Sequence, residues 1–152
     1  MSNDQIVGRF NAFRAYGITY NPVKVYMMVT ELAAGGDLSE YLKPHFSTLT
    51  YIKQIKILYD IATGLTHVHR SGLIHRDLNC RNVMCQVIMY RSQGRGEECR
   101  FAIGDLRQAA LSIKDNNNNK VLGALPYFAP EIFGKNAYTQ AADVYGFGIL
   151  MW

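Results

Sequence analysis

Two short runs rich in β-branched and aromatic side chains lie near the start of the chain. Residues 14–20 (RAYGITY) and 25–30 (VYMMVT) predict two strands around a turn at Asn21-Pro22. Gly35-Gly36-Asp37 then breaks the pattern, and Asp37 is suited to cap a short helix that runs through Leu42 and stops before Pro44. From Thr50 to about His69 the apolar residues Ile52, Ile55, Leu58, Tyr59, Ala62, Leu65 and Val68 recur at three and four, the spacing of an amphipathic helix. Ser71-Gly72 ends that helix.

Leu73-Ile74 then leads into the polar run HRDLNCRN, which reads as an irregular loop between apolar pieces. Residues 83–90 and 101–103 predict a strand pair joined by the polar segment RSQGRGEECR. Residues 105–131 read as loop and include the four asparagines at 116–119, an expected exposed tip. Asp143 is expected to start a final apolar helix. No internal repeat or linker divides the chain.

Composition narrows the picture. With 152 residues, 49% of them apolar and 18% charged, the chain can bury a core and is not a disordered tail. The net charge of +4 is spread over scattered basic residues, which argues against a nucleic-acid partner. Cys80, Cys85 and Cys99 form no C-x-x-C pair, an arrangement that suits a reducing compartment. The opening MSNDQIVGRF lacks a signal core, and the longest apolar stretch, residues 144–152, is far short of a membrane span. A soluble, cytoplasmic protein without a membrane segment is expected.

The chemistry lies in His75-Arg76-Asp77-Leu78-Asn79-Cys80-Arg81-Asn82, which fits H-R-D-L-x-x-x-N at every fixed position. Asp105, Ala129-Pro130-Glu131 and Asp143-Val144-Tyr145-Gly146-Phe147-Gly148 follow in order. On these motifs the chain resembles the eukaryotic protein kinases. The resemblance implies an α+β, protein-kinase-like fold: mostly the helical C-lobe with the last N-lobe strands, truncated at both ends. Residues 1–30 would end the N-lobe, 31–37 form the hinge and 38–152 part of the C-lobe. It further implies ATP and Mg²⁺ as cofactors and a protein hydroxyl as substrate. Asp77 would be the catalytic-loop base, with Asn82 and Asp105 as magnesium ligands, since that ion prefers hard oxygen donors. Arg76 would meet a phosphorylated activation loop, for which Ser112 is the one Ser or Thr between Asp105 and Ala129. His75 is expected to be a packed structural histidine, and Asp143 to hold the catalytic-loop backbone. In the hinge-like segment Thr30-Glu31-Leu32-Ala33-Ala34-Gly35-Gly36-Asp37, Thr30 would be the gatekeeper. The backbones of Glu31 and Ala33 would face adenine, Asp37 the ribose, and Met84 would pack under the base.

Some signals depart from that pattern. No glycine-rich phosphate loop opens the chain and no lysine-bearing V-A-I-K is present; Gly94-Arg95-Gly96 lacks the third glycine. The motif after the second strand pair reads Asp105-Leu106-Arg107 where Asp-Phe-Gly is usual, so a residue that takes φ > 0 freely is replaced by arginine. Asn79 stands where Ser/Thr kinases carry lysine, and Arg81 resembles tyrosine kinases. Residues 123–131 look like the tyrosine-kinase-like group of Ser/Thr kinases, which favours Ser/Thr specificity. The alternative function is a catalytically dead, kinase-like binding module.

Overall fold

The computed structural model describes residues 13, 15–23, 25–88, 98–111, 123–134 and 138–152. Ser112, the asparagine tip and the Gly94-Arg95-Gly96 segment lie outside them.

The chain opens with an antiparallel hairpin of β1 (Ala15–Tyr20) and β2 (Tyr26–Thr30). Asn21 makes the turn by accepting the N–H groups of Val23 and Val25 on its side-chain oxygen, while its own N–H donates to the Val25 carbonyl at 3.1 Å. Tyr20 and Tyr26 close its mouth with ring centroids 4.9 Å apart. Every residue of both strands is exposed, so the hairpin stands outside the core.

Helix α1 (Leu38–His45) begins at Asp37, whose carboxylate accepts the Glu40 N–H at 2.8 Å. It does not stop before Pro44. The proline sits inside the last turn, where its missing N–H removes one helical bond near a frayed end, and a 3-10 turn at Phe46–Thr48 follows. Thr50 caps α2 (Tyr51–Arg70), which fills the span expected from its period. The buried face of α2, however, consists of Ile57, Asp60, Ile61, Gly64, Leu65 and Val68. Ile52, Ile55 and Tyr59, assigned to the apolar stripe by spacing, are exposed. This helix carries apolar residues around much of its girth, and packing against a strand selects one stripe.

That strand belongs to a second hairpin, β4 (Val83–Ile88) with β5 (Glu98–Ile103), paired from Val83↔Ile103 to Ile88↔Glu98. Ile57, Ile61 and Leu65 of α2 join Leu38, Leu78, Val83, Cys85, Phe101 and Ile103 in the principal core. Full burial of each large member stabilises the fold by about 1.5–3 kcal/mol. Asp60 enters this apolar interface because its carboxylate accepts the Phe101 N–H at 3.0 Å, fixing helix to strand. A further pairing was not visible in the sequence: β3 (Leu73–Ile74) pairs antiparallel with β6 (Ala110–Leu111).

Residues 105–131 are more ordered than a plain loop. A 3-10 turn spans Leu106–Gln108, another spans Leu125–Tyr127, and the short helix α3 covers Pro130–Phe133. Phe128, Ala129, Ile132 and Ala142 form a second, smaller core. The last helix, α4 (Gln140–Met151), starts earlier than predicted because Thr139, not Asp143, is its cap. Asp143 is therefore free to point inward.

Candidate active site

The polar loop between β3 and β4 hangs from one buried carboxylate. Asp143 Oδ2 accepts the His75 N–H at 2.7 Å and Oδ1 accepts the Arg76 N–H at 2.9 Å, while His69 Nε2 lies 2.9 Å from Oδ2. Arg76 takes φ 71°, the left-handed region, so the chain reverses tightly at this anchor. His75 is fully buried. Its Nδ1 accepts the Asp77 N–H at 3.3 Å, which leaves the proton on Nε2 to be donated to the Gly104 carbonyl at 3.0 Å. The histidine is thus a structural strut, as expected, and it ties the loop to the residue before Asp105.

Asn82 makes the second tie. Its carbonyl accepts the Gly104 N–H at 2.8 Å, extending the β4–β5 ladder by one rung. Its side-chain amide donates to the Asp77 carbonyl at 2.7 Å and to Asp77 Oδ2 at 3.0 Å. Asn82 Oδ1 accepts no hydrogen bond among the described residues. Asp77, Asn82 and Gly104-Asp105 therefore meet at one edge of the second hairpin.

Four donors surround the Asp77 carboxylate. Asn79 Nδ2 approaches Oδ1 at 2.9 Å and Asn82 Nδ2 approaches Oδ2 at 3.0 Å; the Ala124 N–H and Gln108 Nε2 are longer, at 3.4 and 3.5 Å. Gly123, at φ 136°, passes so close that an added Cβ would stand 2.5 Å from Asp77 Oδ1. Only glycine permits that approach. The result is a half-buried carboxylate fixed in direction, suited to orient a hydroxyl.

Asp105 itself adopts φ 56° and ψ 61°. The left-handed angle falls on the aspartate, while Arg107, which stands where glycine is usual, belongs to the following 3-10 turn. Arg107 folds back so that Nε meets Asp105 Oδ1 and Nη2 meets Oδ2. That guanidinium, through its hydrogen bonds first, holds the Asp105 carboxyl below its ordinary range.

The hinge-like segment lies along β4. Gly35 N–H donates to the Cys85 carbonyl at 3.1 Å, the Cys85 N–H donates to the Gly36 carbonyl at 2.8 Å, and Asp37 bridges to Met84. Met84 packs toward Gly104, where an added Cβ would meet its Cγ at 3.1 Å. Thr30 ends β2, and Glu31 accepts a hydrogen bond from Gln86 at 2.9 Å. The Ala33 N–H donates to no group among the described residues, whereas its carbonyl accepts the Gly36 N–H. The Arg76 guanidinium lies over the Tyr138 ring at 5.5 Å, and its buried Nε has no acceptor among the described residues.

The chain is similar to known proteins over most of its length. The family model for protein tyrosine and serine/threonine kinases matches residues 6–152. The chain belongs to that kinase family. A probable LIM domain-containing serine/threonine-protein kinase of Dictyostelium discoideum is 33% identical over 142 residues, covering 93% of this chain and 20% of that protein. A serine/threonine/tyrosine-protein kinase of Arabidopsis thaliana is 30% identical over 129 residues, 84% of this chain and 30% of its own length. A dual specificity protein kinase of Dictyostelium discoideum is 28% identical over 139 residues, 84% of this chain and 6% of its length. The chain thus spans under a third of each of these relatives.

Within this kinase chain, three neighbours of the site escaped the sequence reading. Asn79 entered only as a missing lysine, yet it caps Asp77. Gln108 and Arg107 reach the two aspartates only because of the turn after Asp105. An Asx pattern two residues beyond Asp77 was the available signal for Asn79; nothing in the letters signalled the other two. Among the described residues no helix is long and apolar enough to cross a membrane.

Proposed function

We propose that this chain supplies the phosphoryl-transfer site of a cytoplasmic protein kinase that moves the γ-phosphoryl of ATP to Ser or Thr hydroxyls of protein substrates. Asp77 orients the hydroxyl. The oxygens of Asn82 and Asp105 suit magnesium, a hard cation, and when bound the ion would neutralise phosphate charge. Catalysis of this kind is positioning and electrostatic stabilisation, so a rigid hydrogen-bonded cluster is what the reaction asks of the protein.

The observation that carries the reading is the double role of Asn82. Its amide orients Asp77 while its carbonyl holds the residue before Asp105. The segment 31–37 serves as the hinge between residues 1–30 and the lobe formed by 38–152. In it Thr30 is the gatekeeper, the backbones of Glu31 and Ala33 face adenine, and Asp37 reaches the ribose with Met84 beneath the base. The unengaged Ala33 N–H supports that reading. The acceptor-less Nε of Arg76 supports a role in receiving a phosphorylated activation loop. Ser/Thr preference rests on residues 123–131 and on the serine/threonine kinase among the relatives, the other two being named for tyrosine or dual specificity as well; none gives ground for the binding-only alternative.

Asp77→Asn in the full-length protein tests the assignment. Transfer of labelled phosphate to a serine-bearing protein substrate is expected to fall at least about a hundred-fold, with nucleotide affinity by calorimetry changed less than about three-fold. Wild-type turnover in that variant refutes Asp77 as the orienting base. Labelling confined to tyrosine refutes the specificity.

A further inference from the structure

The Asp105 carboxylate already has a cation. Both of its oxygens face one guanidinium, Nε on Oδ1 and Nη2 on Oδ2, and the Arg107 N–H adds a third contact to Oδ1 at 3.4 Å. The fork is local in origin. Asp105 takes left-handed backbone angles, and the 3-10 turn beginning at Leu106 brings the side chain two positions on back over the carboxylate. Arginine cannot lose its proton in a protein and matches a carboxylate with two parallel donors. It therefore places a permanent positive charge against the carboxylate that would hold a divalent ion.

The two partners differ in exposure: the Arg107 side chain is 78% exposed and that of Asp105 19%. Nothing buries the guanidinium, so it can swing to solvent without breaking the core. We propose that Arg107 is a tethered competitor for divalent metal at Asp105, and that metal enters the site as the guanidinium leaves. This rests on Asp105 being a metal ligand, as argued above. Arg107 thereby sets the metal concentration at which the site fills. Exposed ion pairs are weak, so the competition is modest, about two- to ten-fold in apparent affinity.

Mn²⁺, detected by its electron paramagnetic resonance signal, is the probe, titrated into the full-length protein without nucleotide. Arg107→Gln keeps much of the length of the side chain and removes its charge; its thermal melt should match wild type because the position is exposed. Arg107→Gln is expected to bind Mn²⁺ about two- to ten-fold more tightly than wild type, with Arg107→Lys in between because it keeps charge but loses the fork. Asp105→Asn should weaken Mn²⁺ binding both as a single substitution and when combined with Arg107→Gln. If Arg107→Gln binds equally or more weakly while Asp105→Asn still weakens binding in both backgrounds, the competitor role is wrong and Asp105 remains a ligand. If Asp105→Asn changes nothing in either background, Asp105 is not a ligand and both readings fall.

Discussion

Asp143 is 3% exposed, accepts the N–H groups of His75 and Arg76 in the loop after β3 and meets His69 of α2. Removing it leaves those N–H groups buried without acceptors, each worth about 1–3 kcal/mol. Asp143→Ala is therefore expected to destabilise the protein by about 3 kcal/mol in urea unfolding. Asp143→Asn, which keeps an oxygen acceptor, should lose less. Gly123 answers to a different constraint. At φ 136° any side chain is strained, and a methyl group there would meet both Asp77 Oδ1 and the Phe128 ring, the latter at 3.0 Å. Gly123→Ala should cost about 1–3 kcal/mol of strain and lower the turnover number at least about ten-fold, measured by steady-state phosphate transfer. Asp77, Asn82 and Asp105 were legible at this scale because their spacing is a motif. Asn79, Gln108 and Arg107 were not, since their partners depend on backbone angles that no letter specifies.

The elements were read with uneven success, and α2 shows why. Its extent followed from a period, a local property. Its buried face did not, because Ile52, Ile55 and Ile57 are equally apolar and only contact with β5 chooses among them. Two substitutions separate the faces. Ile61→Ala, at a site with no exposure, is expected to lower stability by about 3 kcal/mol. Ile52→Ala, at a site 79% exposed, should change it by no more than about 0.5 kcal/mol. Chemical denaturation of both variants checks the assignment. Helix α4 makes the same point from its end. Its cap is Thr139 and not Asp143, which instead holds a loop far away in sequence, the role the kinase resemblance implied.

For the whole molecule, stability should depend on alkaline pH through a buried thiol. Burial first, and a hydrogen bond with Cys99 second, push Cys85 from an ordinary 9.0 up to about 12. The unfolded chain then releases that proton before the folded one does. The thiol's contribution is fully present below pH 9.0 and is lost as pH rises from there toward about 12. Thermal melts at about pH 8 and about pH 10.5 are expected to show lower stability at the higher pH, and Cys85→Ala should flatten that difference. By itself the amino-acid sequence determined the two hairpins, helices α1, α2 and α4, their order and the motif residues, because turn residues, periods and fixed spacings act within a few residues. Tertiary structure alone decided which face of α2 is buried and that β3 pairs with β6. These depend on where distant backbone segments meet and on dihedral angles fixed by that meeting, which a one-dimensional pattern does not contain.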